Sequence, residues 1–166
     1  MNTFIISGFP AIGKTYIVQN KDKLNISCID SDSSKFSWLS EGVRNPDFPN
    51  NYIEHIKSNV GKVEYIFVSS HKEVREALYN NNLPHIIVYP DKSLKEEYLD
   101  KYYTRGNNSK FTSFISDNWN NFIDDLDESW NNMIISKFRL NSKESLLDLI
   151  NSDKFDKAIN DYLSFR

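Results

Sequence analysis

The sequence predicts a three-layer α/β fold, in which helices cover both faces of a five-stranded parallel sheet. Short apolar runs typical of buried strands alternate with segments whose apolar residues recur at helical spacing. Strands that alternate with helices are joined by crossover connections, which make the strands parallel and cover both faces. The chain has 166 residues, 39% of them hydrophobic, which is enough for one domain, residues 1–166, with a sizeable core.

The five predicted strands are short apolar runs that end in polar or turn-forming residues. They are residues 3–7, 24–30, 65–68, 85–89 and 133–140. Helices are predicted between them at residues 16–21, 52–57 and 72–78.

Two further helices are predicted before the last strand. The first begins at Ser93 and ends at Gly106, with an apolar stripe of Leu94, Tyr98, Leu99 and Tyr102. The second has an apolar side of Phe111, Ile115, Trp119, Phe122, Ile123 and Leu126. The acidic run at 124–128 is most simply its solvated face, with a metal role as the alternative. After the last strand, Asn141 precedes Glu144 by three residues, which predicts a helix from 142 to 150, and a final helix spans 153–163.

Composition argues against several classes of protein. The formal charge of −3 and the pI near 5.6 disfavour a protein that binds long nucleic acid over its whole surface, although a local basic groove stays possible. The single cysteine, Cys28, lies in an apolar run and is expected to be a buried thiol, which suits a reducing cytoplasm. No apolar run approaches roughly 18 residues, so we expect a cytoplasmic protein that does not enter a membrane.

Residues 8–15, GFPAIGKT, match the Walker A pattern G-x-x-x-x-G-K-[ST] between a predicted strand and a predicted helix. Glycines allow such a loop to turn its backbone N–H groups toward a polyphosphate. Lys14 would then reach the β- and γ-phosphates of ATP, and the Thr15 hydroxyl would bind Mg²⁺. A chance glycine-rich turn is the alternative. The predicted ATP-binding residues are Gly8, Ala11, Ile12, Gly13, Lys14, Thr15 and Tyr16.

With this motif, an acidic end to the second strand, an arginine after the third and a basic helix before the fifth, the chain resembles the small P-loop kinases. That group includes adenylate kinase-like proteins, nucleoside kinases and polynucleotide kinases, and small kinase-like proteins of bacteriophages look similar around residues 89–107. The resemblance covers most of the chain and implies a P-loop NTPase sandwich. It also implies a small helical lid at about residues 91–110 and an acceptor-binding segment at about residues 31–60.

In the resembled kinases, a lid helix brings Arg or Lys over the transferring phosphoryl group. Arg105, at the predicted helix end, is the best candidate, with Lys101 four residues earlier on the same face. The alternatives are ordinary surface charge for Lys101 and a favourable cation at a helix C-terminus for Arg105.

Asp30 and Asp32 follow the second strand and bear on the nature of the acceptor. A hydroxyl acceptor benefits from a carboxylate base, whereas a nucleoside monophosphate needs cations instead. Asp32 as a helix cap and Asp30 as an indirect Mg²⁺ ligand are the alternatives. The resembled families often place an Asp for Mg²⁺ after the third strand, but Ser69 stands there, which leaves that role to Asp30.

Five further residues are candidates for binding the acceptor. Trp38, Arg44 and Tyr52 lie where the resembled kinases recognise it: a base could stack on Trp38, and Arg44 could hold a phosphate. Core packing is the alternative for Trp38. His71 is expected to cap a helix or to lie near the acceptor. Arg75 is expected to reach an acceptor phosphate or to pair with a distant acid such as Asp91.

Together these features predict ATP- and Mg²⁺-dependent phosphoryl transfer to a nucleoside or nucleotide. One alternative is a kinase for a hydroxyl of DNA or RNA, at a strand end or a modified base; the acidic pI disfavours it and the aspartate pair favours it. Another is an NTP-binding regulatory module without kinase activity. The basic helix and the absence of a guanine-reading N-K-x-D motif argue against that module.

Overall fold

The computed structural model describes residues 1–166 and contains the α/β fold that the sequence predicts. The strands are β1 (Phe4–Gly8), β2 (Cys28–Asp30), β3 (Trp38–Ser40), β4 (Val43–Arg44), β5 (Tyr65–Ser69), β6 (His85–Pro90) and β7 (Ile134–Leu140). Five of them form one parallel sheet in the order β2-β5-β1-β6-β7, and β3 and β4 pair as a separate antiparallel hairpin. The predicted five-stranded parallel sheet is confirmed.

Helices flank the sheet. They are α1 (Lys14–Gln19), α2 (Lys21–Leu24), α3 (Ser34–Ser37), α4 (Asn50–Asn59), α5 (Lys72–Asn80), α6 (Lys95–Thr104), α7 (Ser109–Glu128), α8 (Leu146–Ile150) and α9 (Asp153–Ser164). A short 3₁₀ turn, Lys92–Leu94, precedes α6. None of these helices combines the length and the apolar character needed to cross a bilayer.

Alternation along β1 divides the core into two layers, because successive side chains of a strand point to opposite faces. Phe4 and Ile6 belong to the larger cluster, which includes buried residues of α6, α7, α8 and α9. Ile5 belongs to the smaller cluster, formed with α4 and α5. Both faces of the sheet are therefore covered, and its three central strands, β5, β1 and β6, are almost wholly buried.

The register of the strands sets the position of the loop that follows β1. Gly8 lies opposite Ser69 of β5 and Val88 of β6. The 8–15 loop therefore leaves the middle of the sheet, at the edge formed by the carboxyl ends of its strands. Asp30, the last residue of β2, is paired with Phe67 on the other side of β5.

Local structure differs from the predictions at three places. The first helix ends at Gln19, and a separate turn of helix, α2, follows Asn20. The helix predicted from 142 begins only at Leu146, because Lys143 has φ 61° and Ser145 forms the capping box with Asp148. The hairpin of β3 and β4 was not predicted.

The acidic run at the end of α7 is neutralised by basic side chains. Asp124 pairs with Lys92, Asp125 with Arg75 and Asp127 with Arg139. The interpretation as a solvated face holds only in part: Glu128 is exposed, whereas the other three acids are partly exposed and connect α7 to neighbouring elements.

Candidate functional site

A pocket of about 870 Å³ opens at the carboxyl ends of β1, β2 and β5, between the 8–15 loop and α6. Open parallel sheets bind ligands at this edge. Of the predicted site residues, it is lined by Gly8, Ala11, Gly13, Lys14, Thr15, Tyr16, Asp30, Asp32, His71, Lys101 and Arg105. Residues far apart in the chain thus meet in one cavity.

The 8–15 loop presents a row of free backbone donors. The N–H groups of Ala11, Gly13, Lys14, Thr15 and Tyr16 make no hydrogen bond within the protein. Gly13 has φ 111°, which L side chains rarely adopt, and Ala11 has φ 70°. Unpaired N–H groups at a helix start are suited to binding an anion.

The loop is held from three sides. Phe9 N–H donates to the Val88 carbonyl at 3.0 Å, and the Ile12 carbonyl accepts a bond from Leu146 N–H at 2.8 Å. The Tyr102 hydroxyl donates to the Pro10 carbonyl at 3.1 Å. These bonds keep the loop in its open, donor-presenting conformation.

Ile12 departs from its prediction as an ATP-binding residue. Its side chain is buried, it does not line the pocket, and its N–H donates to the Phe9 carbonyl at 3.4 Å. The Ile12 side chain anchors the loop in the core, whereas its neighbours Ala11 and Gly13 line the pocket.

Lys14 lies across the mouth of the loop. Its Nζ donates to the Gly8 carbonyl at 2.5 Å and lies 3.5 Å from the Phe9 carbonyl oxygen. Burial lowers the pKa of Lys14 to about 8; Asp30 partly opposes this and Arg105 adds to it. Burial disfavours the charged form of an amine, so an anion in the pocket would be a better partner than the carbonyls.

Asp30 is a half-buried carboxylate beside the Thr15 hydroxyl. It accepts no hydrogen bond from the backbone, and its pKa is raised chiefly by burial, with a smaller contribution from Asp32. Lys14, Lys35 and the Thr15 hydroxyl act in the opposite direction. Thr15 and Asp30 therefore share a corner of the pocket, with the hydroxyl and the carboxylate within hydrogen-bonding reach of each other.

Asp32 has a structural role as well as a place in the pocket. Its Oδ1 accepts a hydrogen bond from the Ser34 N–H at 2.9 Å, at the start of α3. The N-cap residue of α3 is Ser33, so the helix-cap alternative is not met in its strict form: Asp32 stands one residue earlier and supports the start of the helix through this single bond. The Asp32 side chain is exposed to the cavity.

The wall opposite the loop is α6, and it is firmly anchored. Tyr98 and Tyr102 are fully buried beneath it. Arg105 follows the last residue of α6 and is exposed to the cavity, and Lys101 Nζ lies 4.3 Å from the Tyr98 ring centroid. The two cations therefore face the same space as Lys14.

His71 lines the pocket but does not cap α5. It occupies the residue before the helix, yet its side chain makes no capping hydrogen bond, so the expected capping role is wrong. Desolvation lowers its pKa, with further lowering from Lys14, Arg75 and Arg44 against a weaker effect of Glu73. His71 is thus mostly neutral near pH 7.

Two of the predicted acceptor-binding residues, Tyr52 and Arg75, form hydrogen bonds inside the protein and do not reach the pocket. Tyr52 is fully buried, and its hydroxyl donates to the Ser31 carbonyl. Arg75 is 8% exposed and bonds to the Ser70 carbonyl, Ser129 Oγ and Asp125. Neither lines the pocket. The alternative of a distant ion pair is confirmed for Arg75, with Asp125 as the partner in place of Asp91.

Trp38 and Arg44 lie outside the pocket, on the β3–β4 hairpin. Trp38 is 45% exposed, so it is not a core residue. The Arg44 guanidinium lies 5.0 Å from the Trp38 ring centroid and 3.2 Å from Glu73. The hairpin packs these two residues against each other.

Several residues of the pocket were not predicted from the sequence. Glu97 lines it and accepts a hydrogen bond from Lys143 N–H at 2.9 Å, which links α6 to the loop before α8. Glu97, Lys101 and Arg105 are spaced four apart, so helical periodicity would have found it. Asn107, in the turn after α6, falls within the predicted lid segment, whereas no such signal marks Phe111, which reaches the pocket from the first turn of α7.

Comparison with protein-family models yields no match, and comparison with curated proteins yields none that is statistically significant. The function must therefore be argued from the pocket itself.

Proposed function

We propose that this protein is a P-loop kinase that binds ATP with Mg²⁺ in the pocket and transfers its γ-phosphoryl group to a small acceptor. The observation that carries the proposal is the row of five unpaired backbone N–H groups around Lys14. A polyphosphate supplies acceptors for all of them at once, and no uncharged ligand offers so dense a set of oxygens.

Lys14 would exchange its carbonyl partners for phosphate oxygens. Its present bond to Gly8 holds the ammonium group at the mouth of the loop, so little rearrangement is needed when the phosphates arrive. A charge-assisted bond to phosphate is about twice as strong as one to a neutral carbonyl. Lys14 would thereby stabilise the charge on the β- and γ-phosphates.

Thr15 and Asp30 fit a magnesium ion that is bound chiefly by phosphates and water. No cluster of three or more His, Cys, Asp or Glu side chains is present, so the protein offers no complete cage. Mg²⁺ usually keeps several waters and takes only one or two protein oxygens beside substrate phosphates. When bound, it would neutralise charge on the β- and γ-phosphates.

Arg105 and Lys101 would act from the opposite side of the pocket. Phosphoryl transfer requires positioning and cations more than covalent chemistry from the protein. Lys14 belongs to the 8–15 loop and Arg105 follows α6, so the transferring phosphoryl group would lie between these two positive charges. In this proposal α6 is the fixed wall of the pocket and the turn after it is the lid, and the acids Asp30 and Asp32 face the acceptor.

The test is isothermal titration calorimetry of the full chain with ATP and Mg²⁺, followed by transfer of labelled γ-phosphate to a panel of acceptors. The intact protein should bind ATP with one site per chain. Lys14→Ala should lose at least about a hundredfold in turnover, since removing one preorganised charge-stabilising donor has effects of this size.

Lys62→Ala is the matched control, because Lys62 is exposed and lies outside the pocket. It should bind ATP as the unaltered protein does. If the intact protein does not bind ATP, the proposal is wrong. If it binds ATP but transfers phosphate to no acceptor, the result would support a regulatory nucleotide-binding protein instead.

A further inference from the structure

We infer that the phosphoryl acceptor is an uncharged hydroxyl compound, of the nucleoside or polyol kind, and not a compound that already carries a phosphate. The inference rests on the proposed function and specifies the acceptor of that same pocket.

The first observation that supports this inference is the position of Arg44 and Arg75, the two arginines predicted to bind an acceptor phosphate. Arg75 is nearly buried and its guanidinium is shared among Asp125, Ser129 and the Ser70 carbonyl. Arg44 is held outside the pocket between Glu73 and the Trp38 ring. Neither guanidinium faces the cavity, although Arg is the residue best suited to bidentate phosphate binding.

The second support is the lining of the half of the pocket beneath β2 and β5, which we call the acceptor lobe. Two carboxylates, four serines and one histidine form it, and no Lys or Arg does. Its members are Asp30, Ser31, Asp32, Ser33, Ser34, Ser69 and His71.

The cations of the pocket come from other elements of the chain. Lys14 belongs to the 8–15 loop, and Lys101 and Arg105 belong to α6 and its end. Lys35 acts on Asp30 electrostatically but is exposed and does not line the cavity. All three pocket cations are therefore placed to bind ATP, and none is left for a second anion.

His71 does not supply a positive charge to the acceptor lobe. The charged groups that act on it are Lys14, Arg75, Arg44 and Glu73, and the three cations together with desolvation keep its pKa below the ordinary value. Near pH 7 it is an uncharged hydrogen-bonding group. The acceptor lobe thus contains two carboxyl groups and no cationic side chain of its own.

A phosphate in this lobe would lie beside Asp30 and Asp32, and Lys14, the pocket cation that acts on them, would already hold the ATP phosphates. Like charges repel strongly where water is partly excluded. A sugar-like compound suits the same surface. Each of its hydroxyls can donate to a carboxylate and accept from a serine or from neutral His71.

The carboxylates of the acceptor lobe can also accept the proton that a hydroxyl acceptor loses in phosphoryl transfer. The acceptor oxygen forms a bond to the γ-phosphorus, and the bond from that phosphorus to the oxygen bridging it to the β-phosphate breaks. ADP leaves with the electron pair of the broken bond, and the hydroxyl proton passes to a carboxylate of the acceptor lobe. An acceptor phosphate has no such proton to lose and would gain nothing from these acids.

The experiment compares matched pairs of acceptors with the full chain, ATP and Mg²⁺. Each nucleoside is tested beside its own 5′-monophosphate and beside an oligonucleotide that ends in the same nucleoside with a free 5′-hydroxyl. We expect kcat/KM for at least one nucleoside to exceed that of its monophosphate and of the oligonucleotide by at least about tenfold, the factor that corresponds to 1.4 kcal/mol.

A higher kcat/KM for the monophosphate or the oligonucleotide would overturn the inference, and so would the absence of transfer to any uncharged compound. Calorimetry with ATP separates this failure from that of the proposed function. If ATP binds normally and only the acceptor preference is reversed, the kinase proposal stands and the inference on the acceptor falls.

A variant addresses the electrostatic reason directly. Asp32→Asn removes one negative charge from the acceptor lobe and should reduce the preference for nucleoside over monophosphate by about tenfold or less. Asp22→Asn, on exposed α2 and outside the pocket, is the matched control and should leave the ratio unchanged. An unaltered ratio in Asp32→Asn would contradict the electrostatic basis of the inference.

Discussion

The Tyr102 hydroxyl donates a 3.1 Å hydrogen bond to the carbonyl oxygen of Pro10, 92 residues earlier in the chain, and so joins α6 to the 8–15 loop. Tyr102 is also fully buried, in edge-to-face contact with Phe111 at 5.2 Å between ring centroids. A helix held in this way cannot swing open as a rigid body without exposing its tyrosines. Movement over the pocket is therefore expected in the turn at Arg105 and Gly106, beyond the anchored part of the helix.

Tyr102→Phe should destabilise the protein by about 1 kcal/mol, the usual net value of one hydrogen bond. It should also weaken ATP binding, because the 8–15 loop loses one of its three supports. Urea unfolding measures the first effect and calorimetry the second. Tyr103→Phe is the matched control, since Tyr103 is 84% exposed; an equal loss in both variants would contradict the anchoring role of Tyr102.

Two substitutions with opposite expected effects test the backbone conformation of the 8–15 loop. Gly13→Ala should impair ATP binding, because φ 111° is strained for any residue with a Cβ, although the nearest atom to that Cβ would lie 3.7 Å away. Ala11→Gly should be tolerated, because Ala11 already has φ 70° and a glycine relieves that strain. Calorimetry on the two variants checks this, and equal behaviour would exclude backbone strain as the cause.

The sheet and the loop were predictable because they depend on local patterns. Apolar runs marked all five strands of the sheet, and the glycines, Lys14 and Thr15 marked the loop. The convergence of Asp30, Asp32 and His71 on that loop was also predictable, because carboxyl ends of parallel strands meet at one edge.

The positions of the residues predicted to bind an acceptor were predicted poorly, because they depend on contacts between distant parts of the chain. No local pattern reveals that Arg75 pairs with Asp125, 50 residues away, or that Tyr52 donates to the Ser31 carbonyl. The same side chains in a different packing could have reached the pocket. Sequence patterns predict which residues can bind phosphate, whereas packing decides which of them are free to do so.

Arg75 therefore gives a prediction about stability and not about binding. Arg75→Ala should lower the free energy of unfolding by about 2 kcal/mol, the range of a hydrogen bond to a charged group. ATP affinity should be unchanged, since Arg75 does not line the pocket. Lys72→Ala, at an exposed position of the same helix, should have little effect on either quantity. A large loss of ATP affinity in folded Arg75→Ala would show that Arg75 acts on the pocket after all.

Arg105→Ala tests the cation at the end of α6. If Arg105 acts on the transferring phosphoryl group, the variant should lose about a hundredfold or more in kcat while the Kd for ATP changes little. Single-turnover kinetics with saturating ATP measure the chemical step. Lys110→Ala, an exposed cation early in α7 outside the pocket, is the control. Equal losses in kcat and in ATP affinity would assign Arg105 to ground-state binding alone.

Lys14 should give the proposed ATP site a defined pH dependence. Its pKa is lowered to about 8, chiefly by burial, so the ammonium group is charged near pH 7 and loses its proton as the pH rises through that value. Only the charged form attracts the phosphates. Bound ATP favours the charged form in turn, so the Kd should begin to rise above about pH 8 as binding requires uptake of a proton.

Calorimetry from about pH 7 to pH 9.5, with Lys14→Arg as the control, measures this dependence. An arginine stays protonated throughout the range, so the Kd of that variant should vary far less with pH, whatever its absolute value. The comparison uses slopes, because the guanidinium does not reproduce the reach of the ammonium group. Parallel curves for the two proteins would mean that a group other than Lys14 controls the pH dependence, and the contact between Lys14 and the phosphates would lose its support.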